Sequence, residues 1–309
     1  MSWSLMMPPA GAGTRSLAAP SSTVQTWGPD GENDGASPHP RCRSSLDGRQ
    51  AGIVPGVDRI DLNSDVGESF GPWPLGDDRR LIPFVTSVNV ACGFHAGDPL
   101  TIQRTVAIAV AHDVAVGAHP GYPDLQGFGR RELDMAADEL EAALVYQIGA
   151  VAAFARAAGS ELRHVKPHGA LYNRAARDRS VADPIARAVR AVSAELVLVG
   201  LAGSELLAAG VAAGLSVAAE AFADRAYEPD GSLRSRRLPD AMLPGPTAAA
   251  AQAVSIVRDG TVATIDGGSR PIRADTICVH GDTPGAADLA RTVREALEAA
   301  GIRVAPVGS

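Results

Sequence analysis

Short apolar runs alternate with longer amphipathic segments along most of the chain. Seven runs predict strands, at residues 60–66, 87–94, 114–119, 163–168, 196–201, 216–222 and 276–282. The segments between them predict helices over residues 99–112, 136–158, 181–192, 204–213, 247–258 and 286–300. At residues 261–273, Asp-Gly-Gly between two short runs predicts a β-hairpin. Strands alternating with helices indicate an α/β fold with parallel strands. We therefore expect a single-domain (β/α)7-type, TIM-like barrel over residues 59–309.

The first 58 residues have a different composition. Residues 1–58 are rich in Pro, Gly, Ser and Asp and have no sustained hydrophobic periodicity. Such a segment is not expected to pack into a core. It predicts either a disordered N-terminal extension or a misassigned translation start, with the true start near Val54 or Val57.

One face of the predicted strands carries polar side chains. Side chains alternate between faces along a strand, so Asp61, Asn63 and Asp65 share one face while Ile60 and Leu62 take the other. The same alternation selects, on later strands, Asn89, His95, His119, His164, Lys166, His168, Glu220, Asp224, Cys278, His280 and Asp282.

These polar residues concentrate at the carboxyl ends of the strands, where barrels of this kind have their active sites. Burying an unpaired charge costs several kcal/mol, on an order-of-magnitude estimate. These polar side chains must therefore pair with one another, with a metal or with a ligand. The pattern predicts an active site, and a satisfied polar network without chemistry is the alternative.

Lys166 is the only lysine in the chain, beside 27 arginines, and it lies between His164 and His168. An ammonium is a compact charge whose pKa moves on burial, whereas a guanidinium is a fixed, always-charged fork. A lone lysine in an arginine-rich chain indicates a function that arginine cannot perform. The alternative is a lysine retained by chance on the surface.

Composition excludes some classes of function. The net charge of −7 argues against a nucleic-acid surface. Uncharged stretches such as residues 206–219 fall short of the ~20 apolar residues of a membrane span. Three widely spaced cysteines predict reduced thiols and a cytoplasmic protein. The chain has neither a Gly-x-Ser-x-Gly elbow nor a Walker P-loop.

Seven motifs, in order along residues 60–302, resemble the LamB/YcsF family. They are Asp-Leu-Asn-Ser-Asp-Val-Gly-Glu (61–68), Ala-Cys-Gly-Phe-His-Ala-Gly-Asp (91–98), Gly-Ala-His-Pro-Gly-Tyr-Pro-Asp (117–124), Gly-Phe-Gly-Arg-Arg (127–131), His-Val-Lys-Pro-His-Gly-Ala-Leu-Tyr-Asn (164–173), Phe-Ala-Asp-Arg-Ala-Tyr (222–227) and Ile-Cys-Val-His-Gly-Asp (277–282).

The resemblance implies a seven-stranded, deacetylase-like barrel. It also implies ATP-dependent hydrolysis of 5-oxo-L-proline to L-glutamate, with Mg²⁺ carried by the ATP. It further implies that two partner proteins, 5-oxoprolinase subunits B and C, take part in the reaction.

Five residues are the candidate catalytic groups. Lys166 is expected to stabilise the transferred phosphoryl group or the tetrahedral oxygen. Asp65 is the expected general base, and His168 the expected proton shuttle. His95 and His119 are expected to bind substrate or to ligate a metal beside Asp65.

A second set is expected to bind substrate or phosphate. Arg130 and Arg131 lie in a glycine-containing loop that suits an anion, although a tight turn with solvated arginines is the alternative. Arg225 is expected either to clamp a carboxylate or to pair with Asp224. The remaining members of the set are Asn63, Glu68, Glu220, His280 and Asp282.

Two questions stay open in the sequence. Asp-x-Asn-x-Asp with histidines from other strands supplies ligands for a divalent metal, yet His-x3-His is absent. The alternatives to the ATP-dependent hydrolase are a metal-dependent carbohydrate or amide deacetylase and a non-catalytic partner subunit.

Overall fold

Seven parallel strands close into a barrel in the computed structural model, which describes residues 59–308. The extension predicted at residues 1–58 lies outside these described residues. The first six barrel strands are β1 (Arg59–Val66), β2 (Ser87–Ala91), β3 (Ala115–His119), β4 (Leu162–Val165), β5 (Val197–Leu201) and β6 (Ser216–Phe222). After a short hairpin, β7 (Thr261–Ala263) with β8 (Ser269–Pro271), comes the seventh, β9 (Thr276–Val279). β9 pairs with both β6 and β1 and so closes the barrel. The predicted barrel is confirmed.

Helices surround the barrel, and each of the six predicted helices is present. The helices are α1 (Asp78–Leu81), α2 (Pro99–Ala111), α3 (Ala137–Ala157), α4 (Gly169–Ala175), α5 (Arg179–Val192), α6 (Glu205–Ala212), α7 (Gly245–Arg258) and α8 (Ala286–Ala299). Sequence periodicity did not predict α1, α4, the 3-10 turn Ile82–Phe84 or β10 (Arg303–Val304), which pairs with β1. These elements are too short to show a helical or strand period.

The hydrophobic core lies between the strands and the helices. Outward-facing strand residues such as Leu62, Val88 and Val116 are fully buried together with Leu144 and Ile148 of α3. By length and composition α3 could span a membrane. Here its buried side packs against β3, β4 and α5, as expected for an outer-layer helix of a barrel.

Asp98 caps the amino terminus of α2 and fixes the loop that follows β2. Its carboxylate accepts hydrogen bonds from the amides of Leu100 at 2.9 Å and Thr101 at 3.2 Å. The Thr101 hydroxyl and the Gly71 amide also donate to it, and these bonds lower the pKa of Asp98 to about 2. The cap therefore anchors the segment that carries His95.

Replacing Asp98 with alanine should lower the free energy of unfolding by about 1 kcal/mol, because the capping bonds are lost. Asparagine, which still accepts these bonds, should retain most of that stability. Since the folded pKa is depressed, the charged cap contributes above about pH 4 and is lost as the pH falls toward 2. Denaturant unfolding at pH 7 checks this, and an alanine variant as stable as the parent would contradict it.

Candidate active site

A cavity of about 370 Å³ opens at the carboxyl ends of the strands. Asp65, His119 and Lys166 lie at its base, and the loops after β3, β6 and β9 form its rim. Most of the candidate residues line this cavity: Asp65, Glu68, His119, Arg130, Lys166, His168, Arg225, His280 and Asp282. The structure thus brings together residues that are up to 217 positions apart in the chain, from Asp65 to Asp282.

The ammonium of Lys166 lies between two buried carboxylates. Its Nζ atom is 3.0 Å from Asp65 Oδ1 and 2.8 Å from Glu220 Oε1. The Cys278 sulfur lies 3.1 Å from the same atom. Lys166 is only 2% exposed, so one cation is held by two anions in an environment with little water.

Burial and charge act in opposite directions on this ion pair. Burial alone would lower the pKa of Lys166, but Asp65 and Glu220 raise it well above its usual value. Burial alone would raise the pKa of Asp65, but His119, when its ring is protonated, and the Lys166 ammonium hold it well below its usual value. Both groups are therefore charged at neutral pH. Burial raises the pKa of Cys278 well above its usual value, so this thiol is neutral.

Two amide side chains hydrogen-bond to the carboxylates of the ion pair. Asn89 Nδ2 donates to Asp65 Oδ1 and to Asn63 Oδ1, both at 2.8 Å. Asn63 Nδ2 donates to Glu220 Oε1 at 2.9 Å. His164 contacts Asn89 Oδ1 through Nε2 at 2.8 Å. This network fixes the two carboxylates before any ligand binds.

Backbone carbonyls fix the tautomers of two histidines beside Asp65. A carbonyl only accepts hydrogen bonds, so His119 Nδ1 donates to the Lys166 carbonyl at 2.7 Å, and His168 Nε2 donates to the Phe128 carbonyl at 2.8 Å. In the neutral rings, the other two nitrogens, His119 Nε2 and His168 Nδ1, carry lone pairs. These two nitrogens lie only 3.0 Å apart. Asp65 Oδ2 is 3.3 Å from His119 Nε2.

His95 and Glu68 complete this cluster. The His95 ring stacks on His168 with centroids 3.8 Å apart, and neither of its ring nitrogens has a hydrogen-bond partner among the described residues. Glu68 Oε1 lies 3.9 Å from His95 Nε2 and 3.7 Å from His168 Nδ1. Burial raises the pKa of Glu68 well above its usual value, and the charges of Asp65 and Asp282 raise it further. Burial lowers the pKa of His95. Glu68, His95, His119 and His168 together form a group that could hold a metal ion.

The rim of the cavity is basic. Asp282 pairs with Arg130 at 2.5 Å and with Arg236 at 3.3 Å. Asp224 does not pair with Arg225 but with His280 Nδ1, at 2.8 Å. Arg225 instead donates to the backbone carbonyls of the loop that contains Arg236. Two guanidinium groups around one carboxylate retain donors for a bound anion.

Arg131 does not reach the cavity. Its side chain is 60% exposed and pairs with Asp124 in the preceding turn. The expected anion-binding loop therefore supplies one arginine, Arg130, to the site. The second arginine that pairs with Asp282 is Arg236, in the segment between β6 and α7.

Sequence reasoning missed several residues that line the cavity, and three of them contact its charged groups. Tyr172, on α4, donates its hydroxyl to Glu220 Oε2 at 2.7 Å. The Phe222 ring lies 5.3 Å from Lys166 Nζ. The third is Arg236 of the rim. The available signals were the position of Tyr172 inside the Lys166 motif and the arginine-rich run at residues 234–237.

Residues 60–309 match the profile of the LamB/YcsF family. The chain belongs to the LamB/YcsF family. A relative from Chloroflexus aggregans, named as the A subunit of 5-oxoprolinase, is 63% identical over 245 residues, which cover 79% of this chain and 97% of the relative. The protein of the same name from Methylococcus capsulatus is 56% identical over 249 residues, covering 81% and 96%. The expected family is therefore confirmed.

A solved crystal structure agrees with the barrel. The lactam utilization protein from Thermus thermophilus is 50% identical, with a TM-score of 0.76. The match covers 80% of this chain and 99% of that protein. The barrel thus has a counterpart in an experimentally determined fold.

Proposed function

We propose that this chain is the A subunit of a 5-oxoprolinase and hydrolyses 5-oxo-L-proline to L-glutamate in an ATP-dependent reaction with subunits B and C. The observation that carries the proposal is the buried Lys166 ammonium at the base of the cavity, in a chain whose relatives bear that subunit's name. The free, buried cysteines Cys92 and Cys278 support a cytoplasmic location.

The chemistry explains the need for ATP. A lactam is a poor electrophile, because its nitrogen donates electron density to the carbonyl. Transfer of the γ-phosphoryl group of ATP to the carbonyl oxygen releases ADP and activates the ring carbon. Water adds to that carbon, the ring C–N bond breaks as the nitrogen takes a proton, and γ-glutamyl phosphate forms. A second water releases phosphate and glutamate.

Lys166 supplies the charge that this sequence of steps requires. An ion pair at ~4 Å is worth ~4 kcal/mol at an effective dielectric of 20, before desolvation. A phosphoryl or oxyanion group in the cavity competes with Asp65 for the ammonium. As the ion pair between Lys166 and Asp65 weakens, the pKa of the Asp65 carboxylate rises toward its ordinary value and the carboxylate becomes a stronger base. Asp65 Oδ2 is the oxygen that Lys166 and Asn89 leave free to accept a proton from water.

The rim arginines bind the anionic ends of the substrate. Arg130 and Arg236 flank the mouth, where they suit a phosphoryl group or the carboxylate of 5-oxo-L-proline. The chain has no Walker P-loop, so phosphorylation with Mg²⁺-ATP is assigned to the partner subunits.

Reconstitution tests the proposal. ATP-dependent glutamate release from 5-oxo-L-proline should occur only when this chain is mixed with candidate subunits B and C, and not with any protein alone. The absence of glutamate release in every mixture would overturn the proposal. ATP-independent amidase activity of the isolated chain would favour a metal-dependent deacetylase instead.

A further inference from the structure

We propose that Glu68, His119 and His168 bind one divalent transition-metal ion, such as Zn²⁺, beside Asp65. The three residues come from different segments at the carboxyl ends of the strands: the loop after β1, the end of β3, and the residue before α4. All three are at most 7% exposed.

The first argument is the pair of facing lone pairs. Because carbonyl oxygens hold His119 Nδ1–H and His168 Nε2–H, the neutral rings direct His119 Nε2 and His168 Nδ1 toward each other at 3.0 Å. Two lone pairs at this distance repel unless a proton or a cation lies between them. Metal-bound histidines commonly donate their second ring N–H to a carbonyl or carboxylate, as both rings do here.

The second argument is charge. Lys166 already shares its single positive charge between Asp65 and Glu220. Glu68 is buried and faces imidazoles instead of an ammonium or guanidinium partner at close range. With Glu68 ionised, the three carboxylates carry three negative charges against the single positive charge of Lys166. A dication balances the remaining two negative charges, whereas one shared proton balances only one.

The third argument is the spacing of the ligand atoms. Metal–nitrogen bonds of 2.0–2.1 Å in a tetrahedral site place neighbouring ligand atoms about 3.3 Å apart. His119 Nε2 and His168 Nδ1 are 3.0 Å apart, and Glu68 Oε1 is 3.7 Å from His168 Nδ1. All three ligand atoms lie within 4.8 Å of one another, so side-chain movements can bring them onto one ion. Two imidazoles and a carboxylate suit zinc and its first-row neighbours.

His95 is a different case, although it belongs to the same cluster. Its ring is parallel to His168 within 2°. An ion in the plane of one ring, at bonding distance from His168 Nδ1, lies well outside the plane of the other ring. His95 must therefore rotate before its unpartnered nitrogen can become a fourth ligand, and it is expected to contribute less to affinity.

Metal analysis of the untagged, full-length chain tests the site. We expect close to one transition-metal ion per chain by mass spectrometry after native purification. After chelation, calorimetry with Zn²⁺ and visible absorption with Co²⁺ should each show one saturable site. Glu68→Gln and His119→Gln should each weaken Zn²⁺ binding at least about 100-fold, since loss of an outer-sphere partner already costs 10–100-fold.

His112→Gln is the matched control, because this histidine is exposed at the end of α2. It should bind Zn²⁺ as tightly as the parent. Glu68→Gln preserves the side-chain shape, and circular dichroism checks its fold. A parent chain that takes up neither Zn²⁺ nor Co²⁺, or a Glu68→Gln variant that binds like the control, would overturn the site in favour of a shared proton. Uptake is measured without nucleotide, lactam or partner subunits, so its result is independent of the reconstitution assay.

Discussion

Replacing Lys166 with arginine is expected to lower kcat of the reconstituted complex at least about 100-fold while leaving the barrel folded. The Nζ atom fits between Asp65, Glu220 and Cys278, at 2.8–3.1 Å from one atom of each. A guanidinium is broader and planar, so it cannot occupy that point and still meet the developing oxyanion. Losing one donor to an oxyanion typically costs 10²–10³ in kcat. ATP-dependent glutamate release at saturating lactam measures the effect.

Lys166→Met separates folding from catalysis. Methionine leaves Asp65 and Glu220 buried without a cation, which should destabilise the protein by about 3–5 kcal/mol. The arginine variant keeps a charge between the two carboxylates and should lose much less stability. A near-parental kcat in the arginine variant would show that Lys166 has a structural role and no role in the reaction.

The barrel and its inward polar face were predictable because both depend on local periodicity. Alternation along single strands places Asn63, Lys166 and Glu220 on one face, and closure of the sheet brings their side chains together. The strand ends were less predictable. β4 ends at Val165, but the amide of Lys166 still donates to the Ala118 carbonyl, and that of His168 to Pro120. The loop therefore continues in register with β3, which keeps both side chains at the site.

Contacts made by irregular backbone could not be predicted from the sequence. The tautomers of His119 and His168 depend on where the carbonyls of Lys166 and Phe128 point. No periodicity encodes that direction. Likewise, Arg236 reaches the rim through a long segment without regular structure, so its pairing with Asp282 follows only from the folded chain.

Asp65 contacts both the Lys166 ammonium and the His119 ring, and so it links the ion pair to the histidines. One oxygen accepts from Lys166 and Asn89, and the other lies 3.3 Å from His119 Nε2. A charge change at Asp65 therefore acts on the ammonium and on the imidazoles at once.

Asp65→Asn is accordingly expected to lower kcat at least about 100-fold with a smaller change in KM. Asparagine has the same shape and can still accept from Lys166, but its amide cannot take a proton from water. Positioned general bases contribute 10²–10⁴-fold to rate. Steady-state kinetics of the reconstituted complex over a range of lactam concentrations separates kcat from KM.

Asp61→Asn is the matched control for this substitution. Asp61 lies on the same face of the same strand, deeper in the barrel, where Thr86, Ser87 and Thr276 donate to its carboxylate. Burial raises its pKa, so it is closer to neutral than Asp65, and the amide should replace it with little effect on kcat. If Asp61→Asn and Asp65→Asn were equally active, the carboxylate nearest the cavity would not be the base. If both were equally impaired, the loss would reflect a disturbed interior network, and the role of proton acceptor would pass to another group at the cavity base.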